Sequence, residues 1–371
     1  MTRLSRALST WLGLLLTHTL WNAARWRRLP RGTRGAARAP HVAVLVPARD
    51  EERNIARCLH SLLRQDYPSY TVIALDDGST DRTLQILHTL EAQHPRLRVL
   101  QGEPPPPGWV GKAWACHQLS HAAQGADILV FVDADTWHRP DLLAALVRAM
   151  DAEGLDLLSV LPRQHVVTVG EALVVPLAVW SLMAHYPLAW PVRWRPTFLA
   201  AAVGQVLAVR TDAYHAAGGH AAVRWEVAED LALARVVARR GGRWALLDGG
   251  GVSDCRMYHS GVQALRGFGK NLWSVFGSRG WGGAAAWSWV TLVLLWPYST
   301  LLRRRGPRGR DLWPLAALLA SWTAALVRAR FPLWTLVLVP VLPLSAVLTG
   351  LYASWLRLSR KARWKGRSVF P

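Results

Sequence analysis

Apolar and polar positions along the chain follow two different rhythms. Four stretches stay apolar over the length of a helix: 8–24, 284–302, 312–327 and 332–355. A fifth, 166–190, is apolar but interrupted by Pro176, His185 and Pro187. Between His41 and about Asp254 the rhythm shortens. Runs rich in Val, Ile and Leu predict strands at 42–46, 71–75, 97–100 and 128–132. Between them, longer amphipathic stretches predict helices at 52–64, 80–92 and 112–123. Strands alternating with helices of this length imply an α/β fold, a mostly parallel sheet with helices on both faces. Ligands of such sheets bind beyond the carboxyl ends of the strands.

Charge changes the picture once it is divided along the chain. The 371 residues hold 44 Lys+Arg and 24 Asp+Glu, a formal charge of +20. Residues 1–40 carry eight Arg and no acid, and 303–371 carry thirteen bases against Asp311 alone. The middle, 41–302, is neutral, with 23 of each sign. The excess thus flanks the most apolar segments, as expected for anchoring at an anionic leaflet rather than for a nucleic-acid groove. Nucleic acid is not an expected partner. Twenty-one Trp, many in or beside the apolar runs (Trp11, Trp21, Trp289, Trp313, Trp334, Trp355), fit a lipid–water interface. Three cysteines without metal-type spacing, Cys58, Cys116 and Cys255, read as small buried fillers.

The segment 8–24, followed by Arg25, Arg27, Arg28, Arg31, Arg34 and Arg38, reads as a signal-anchor. The positive-inside rule then puts the following domain in the cytoplasm of a bacterial inner membrane. A full crossing by 284–302 would put the arginine-rich loop 303–310 outside, against that rule. An interfacial segment broken at Pro297 avoids the conflict, and 312–327 and 332–355 then form a spanning hairpin. The expected division is an anchor and basic linker over 1–40, a catalytic domain over 41–283, and C-terminal membrane segments over 284–371.

Chemistry gathers where the strands end. The first runs into Pro47-Ala48-Arg49-Asp50-Glu51-Glu52, the second into Asp76-Asp77-Gly78-Ser79-Thr80-Asp81, and 128–132 into Asp133-Ala134-Asp135-Thr136. Sixteen Asp in this length give an Asp-x-Asp by chance about 0.7 times, so that pair alone is weak. Behind a buried strand, two strands after Asp-Asp-Gly-Ser, it is specific. Crowded carboxylates raise one another's pKa and call for a hard divalent cation with oxygen ligands. Ser79 or Thr80 is expected to cap the helix that follows. Glu229-Asp230 opens a further amphipathic run, where acids also suit the helix dipole.

These motifs, in this order over 41–260, resemble the family 2 glycosyltransferases of the GT-A fold. Pro107-Gly108-Trp109-Val110-Gly111-Lys112, Arg256-Met257-Tyr258 and Gly269-Lys270-Asn271-Leu272 resemble the membrane-bound subgroup of hopanoid and carotenoid pathways, diaponeurosporenoate-type enzymes included. The Gln-x-x-Arg-Trp of processive polymerases is missing from this sequence. The resemblance implies that Pro47, Arg49 and Glu51 underlie the nucleotide, that Asp76 and Asp77 recognise the nucleoside, and that Lys112 offsets the diphosphate. It implies that Asp133 and Asp135 bind Mg2+ or Mn2+, with Asp133 shared with the ribose, and that Asp230 is the general base. Glu229, Arg256, Tyr258 and Lys270 become candidates for holding the diphosphate or the acceptor.

The function so implied is inverting transfer of a hexose from a nucleotide sugar, UDP-linked by preference, to a lipid-soluble acceptor such as a carotenoid, hopanoid or other isoprenoid. Transfer to a polyprenyl phosphate or glycerolipid headgroup is the alternative within the enzyme class. A non-catalytic membrane scaffold is the alternative outside it, and the intact acid set argues against that.

Overall fold

In the computed structural model the described residues are 3–31, 39–275, 282–299, 301, 309–361, 363–365 and 367–368. Arg34, Arg38, Arg303, Arg304, Arg305 and Arg308, which the charge argument uses, lie outside them. The chain divides into two compact units. One comprises Arg27–Gln164, Trp190–Met257 and Arg363–Pro371; the other comprises Met1–Trp26, His165–Ala189 and Tyr258–Ala362.

The strands belong to the first unit: β1 Val42–Ala48, β2 Tyr70–Asp76, β3 Leu97–Gln101, β4 Ile128–Val132, β5 Thr136–His138, β6 Leu157–Leu161, β7 Arg163–Gln164, β8 Val206–Arg210, β9 Trp244–Asp248, β10 Ser253–Cys255, β11 Arg363–Trp364 and β12 Arg367–Ser368. Seven of them form one sheet in the order β3-β2-β1-β4-β8-β6-β9. All its pairings are parallel except those of β8, which runs antiparallel to both β4 and β6. A mostly parallel sheet is what the alternating pattern implies; the reversed strand left no mark on it, because β8 is as uniformly apolar as its neighbours. A second sheet, β5-β10-β7, lies outside the pattern as well. Its strands have two or three residues, too few for a periodicity.

The predicted helices are Ile55–Leu63, Thr83–Glu91 and Gly111–Ala122. Side chains of β1 alternate between two cores. Val42, Val44 and Val46 face a fully buried cluster with Ile55, Leu59 and Leu62 and with Leu142 and Leu146 of the helix Leu142–Glu153. The opposite face carries Gly111–Ala122 against β1 and β2. Each buried Val or Leu stabilises the unit by about 1.5–3 kcal/mol, so the strand ends are held on a rigid floor. The three cysteines are free and buried, as their apolar settings suggest.

The other unit is helical: Arg3–Arg25, Val169–Val174, Pro176–His185, Gly261–Val275, Gly282–Ser299, Gly309–Arg328 and Leu342–Leu358, with 3-10 turns over Leu333–Val341. Indoles and backbone carbonyls carry its packing. Trp180 stacks on Trp322 at 4.5 Å between ring centroids, and its N–H donates to Ser321 Oγ. Asn22 donates to the carbonyls of Met183 and Tyr186, caught between helices that are far apart in sequence. Pro297 sits in the last turn of the helix Gly282–Ser299. Among the described residues one helical stretch, Leu333–Leu358, is long and apolar enough by length and composition to cross a membrane. The 8–24 segment forms a helix of 23 residues, Arg3–Arg25, but Ser, Thr, His and Asn dilute its apolar character.

Candidate active site

Parallel pairing sets the first half of the site. Ala48 of β1 stands opposite Asp76 of β2, and the Asp77 amide donates to the Ala48 carbonyl at 2.8 Å. The loops after the two strands are thereby laced together. The Asp50 amide donates to Ser79 Oγ, and Asp50 Oδ1 accepts from the Thr80 amide at 2.7 Å. Asp50 is in the left-handed region at φ 49°, a strain that this lacing offsets. Neither Ser79 nor Thr80 caps the next helix, contrary to expectation. Both are spent on Asp50 and Asp76, and Asp81 accepts instead from the Thr83 amide at 2.9 Å. Three hydrogen bonds from Thr83 and Glu52 outweigh burial and hold the Asp81 carboxyl below its usual range.

Asp76 and Asp77 are both buried at this edge. Asp76 Oδ2 accepts from the Ser79 amide, while its buried Oδ1 accepts no hydrogen bond among the described residues. An orphaned acceptor of this kind costs about 1–3 kcal/mol unless a ligand supplies a donor. Arg49 lies against Asp77 and donates to its carbonyl. Burial raises the Asp77 pKa, against the pull of Arg367 and Arg49.

The second half lies at the end of β4. Lys112, in the first turn of Gly111–Ala122, places its amine 2.7 Å from Asp133 Oδ1 and 3.0 Å from Glu229 Oε1. It is no solvated helix-start lysine. Burial alone would lower its pKa, but Asp133, Glu229 and Asp230 together drive it up. Asp230 follows Glu229 in the first turn of the helix Glu229–Arg239, and its Oδ1 accepts from the Leu231 amide. Pro47, Lys112, Asp133, Gly204, Glu229 and Asp230 line one recess. Desolvation and the adjacent Glu229 push the Asp230 carboxyl up to about 7, with Lys112 opposing. Asp135 is raised in the same sense, by desolvation and then by Asp133 and Glu51. Its backbone carbonyl accepts from the Arg256 amide, which brings the end of β10 alongside.

Asp133, Glu229 and Asp230 therefore crowd around Lys112, with Asp135 nearby. All four acids are hard oxygen donors, and their mutual repulsion is what a divalent cation relieves, so Asp133 and Asp135 fit the cation assigned to them. Among the described residues no three His, Cys, Asp or Glu side chains are arranged to hold a metal, so a cation here would complete its shell with donor or water oxygens.

Residues 43–186 match the model of glycosyl transferase family 2. The chain is 29% identical over 266 residues to 4,4'-diaponeurosporenoate glycosyltransferase of Staphylococcus aureus (strain USA300), a match over 70% of this chain and 66% of that protein. The chain thus matches just under two thirds of that relative's length. In fold it is similar to the mannosyltransferase PcManGT from Pyrobaculum calidifontis, solved in complex with GDP-Man and Mn2+. That likeness covers 96% of this chain and 99% of the other, with a TM-score of 0.54 and 19% identity. The expected GT-A-type sheet is present.

One unit thus gathers Pro47, Arg49, Glu51, Asp76, Asp77, Lys112, Asp133, Asp135, Glu229, Asp230 and the backbone of Arg256. Tyr258 and Lys270 belong to the other. There Tyr258 packs on Phe268 of the helix Gly261–Val275, which also bears Lys270.

Three residues of the site escaped the sequence reading. Gly204 leaves the space that Lys112 fills: a Cβ there would stand 2.8 Å from the amine and 3.3 Å from Asp230. Lys365 reaches Glu51 at 2.5 Å, and Arg367 reaches both oxygens of Asp77 at 2.8 Å. A lone Gly before a strand gives no signal, and the two bases were counted with a tail read as membrane-facing.

Proposed function

We propose that the domain transfers a hexose from a nucleotide sugar, UDP-linked by preference, to a lipid-soluble acceptor with inversion at the anomeric carbon. What carries this reading is the gathering of Asp133, Glu229 and Asp230 around the half-buried Lys112 in one recess. Asp76 and Asp77 hold the nucleoside, Asp76 Oδ1 taking the donor it lacks. Lys112 faces the diphosphate from the Asp133 side. A divalent cation, Mg2+ or Mn2+, held by Asp133 and Asp135, supplies positive charge against the leaving diphosphate when bound.

Asp230 takes the acceptor proton. An acceptor hydroxyl is a poor nucleophile at neutral pH, and a carboxylate near pKa 7 is ionised yet basic enough to accept a proton as the hydroxyl attacks. The sugar bond to the diphosphate breaks as the bond to the acceptor oxygen forms on the opposite face.

A hydrophobic acceptor is supported by the similarity to an enzyme named for diaponeurosporenoate and by the apolar surface of the helical unit. Along 333–358 the side chains of Leu333, Val337, Leu348, Leu351, Trp355 and Leu358 are exposed, which suits contact with lipid. On this reading the protein sits at the bacterial inner membrane with the catalytic unit on the cytoplasmic side. The test is incubation of membranes holding the protein with labelled UDP- and GDP-hexoses, followed by mass spectrometry of the lipid extract. A hexosylated isoprenoid dependent on Asp230 is the expected product. Sugar found only on water-soluble or polymeric products would overturn the acceptor assignment.

A further inference from the structure

The strands β11 and β12 pair antiparallel, Arg363 opposite Ser368 and Trp364 opposite Arg367. This hairpin, some 290 residues away in sequence, stands on the ends of β1 and β2. Arg367 Nη1 donates to both carboxylate oxygens of Asp77 at 2.8 Å, and Nη2 donates to the Asp77 carbonyl at 3.3 Å. Lys365 Nζ pairs with Glu51 and donates to the Arg49 carbonyl, and Arg49 Nε returns a bond to the Lys365 carbonyl. The guanidinium also fills the gap between the strand end and the helix start. A Cβ added at Gly78 would lie 3.4 Å from Arg367 Nη2, and one at Gly111 3.3 Å from Nη1.

The hairpin thus engages Arg49, Glu51 and Asp77, three residues assigned above to the nucleotide. A guanidinium offers a carboxylate N–H donors where a nucleobase would offer its ring N–H, N3–H in uracil or N1–H with the exocyclic amine in guanine. Asp77 is only 3% exposed, so no second approach to its oxygens is open from solvent. The two donors exclude each other.

We infer that the C-terminal hairpin is a tethered competitor for the nucleoside subsite. Arg367 stands on Asp77 in place of the base, Lys365 holds Glu51, and a nucleotide sugar binds only when both release. The inference rests on the donor-site reading above and adds a regulation to it. Its strength comes from the tether. A segment of the same chain acts at an effective concentration on the order of millimolar, so even weak pairs weaken nucleotide binding severalfold or more. It also has a salt signature, since partly exposed ion pairs are screened as ionic strength rises.

The experiment compares the full-length protein with its Lys365→Ala/Arg367→Ala variant. Binding of UDP and of GDP, each with Mn2+, is measured by calorimetry at low and at high salt. The variant is expected to bind about tenfold more tightly at low salt, with the gap narrowing at high salt. Arg367→Gln, which keeps length and some donors but no charge, should give an intermediate gain. It also serves as the second test if the double variant does not fold. Equal binding by wild type and variants overturns the competition and leaves the donor site standing. Weaker binding by the variants also overturns it, because the hairpin would then help to hold the nucleotide. If no form binds either nucleotide, the donor-site reading fails and the competition with it.

Discussion

The two ends of the cleft carry carboxylates in similar number but in different company. At the tips of β1 and β2, Glu51 has Lys365, Asp77 has Arg367 with Arg49 close by, and one oxygen of Asp76 has a backbone amide. At the tip of β4 and the start of Glu229–Arg239, Asp133 and Glu229 divide Lys112 between them while Asp230 and Asp135 crowd the same space. Burial raises the pKa of acids at both ends, but only at the first do nearby arginines pull it back. The first end is arranged to exchange one set of N–H donors for another. The second is short of positive charge, and that shortage suits it to a cation and to proton transfer.

The sharpest way to break this contrast is to neutralise an acid at the charge-poor end. Asp135→Asn should lower transfer by more than a hundredfold, on the order of 3 kcal/mol of transition-state stabilisation, if a cation depends on that carboxylate. Full activity of the variant in excess EDTA would remove the cation from the account.

Asp230→Asn should lower turnover by about a hundredfold and leave nucleotide binding near normal, because the nucleoside contacts lie on other strands. It should also stabilise the fold at pH 8. The folded-state pKa is raised from 3.8 to about 7, so the native state holds this proton more tightly than the unfolded chain does. That contribution is complete below about pH 4 and is lost as pH climbs through 7, where the ionised carboxylate faces Glu229 and Asp133. The amide carries no such penalty. A lower melting temperature for the variant at pH 8 would mean that Lys112 needs the Asp230 charge more than Glu229 resents it.

How much of this was legible beforehand follows from what each residue depends on. The strands, the helices between them and the acids at their ends depend on local pattern and on parallel register, and those survive in one dimension. The helices start three residues later than expected after β1 and β2, because the amides of Asp50, Glu51 and Glu52 bond to Ser79, Thr83 and Asp81, and those of Ser79 and Thr80 to Asp76 and Asp50, rather than entering a helix. The pairing of Lys112 with Glu229 joins residues more than a hundred positions apart, and no spacing rule reports it. Lys365 and Arg367 were harder still. A basic tail beside apolar helices is what a membrane anchor looks like, and only coordinates show two of its charges on Glu51 and Asp77. Net charge by segment says where bases are in the chain and nothing of which acids they reach.

A gentler probe than removing charge is to change pH at the transfer end. With Asp230 the base, kcat/KM should fall about tenfold per unit below pH 7, since only the ionised form takes the proton. The charged groups facing it are Glu229, Lys112 and Asp133; Lys112 and the Leu231 amide pull its pKa down, and desolvation and the two acids outweigh them. Asp230→Asn should abolish the limb along with most of the rate. A wild-type profile flat to pH 5.5 would mean that the base titrates in the ordinary carboxylate range.

The smallest expected effect isolates geometry from charge. Gly204→Ala adds one methyl group 2.8 Å from Lys112 Nζ, and the backbone there is not in the left-handed region, so the lysine tip moves rather than the chain. Its hold on Asp133 or Glu229 should loosen, and turnover should drop about three- to tenfold, roughly 1 kcal/mol. Stability should hardly change. Replacing Gly by Ala where the backbone allows it stabilises by about 0.4–1 kcal/mol through the unfolded state, which offsets the crowding. The measurement pairs turnover with a thermal melt. A lower rate at an unchanged melting temperature says that the amine's position between two acids matters to transfer, beyond the mere presence of a positive charge. A large drop in melting temperature says that the backbone gave way instead. The same substitution at Gly78 is a control from the other end of the cleft. There φ is +68°, so Ala is strained regardless of the space beside Arg367, and stability should fall together with nucleotide binding.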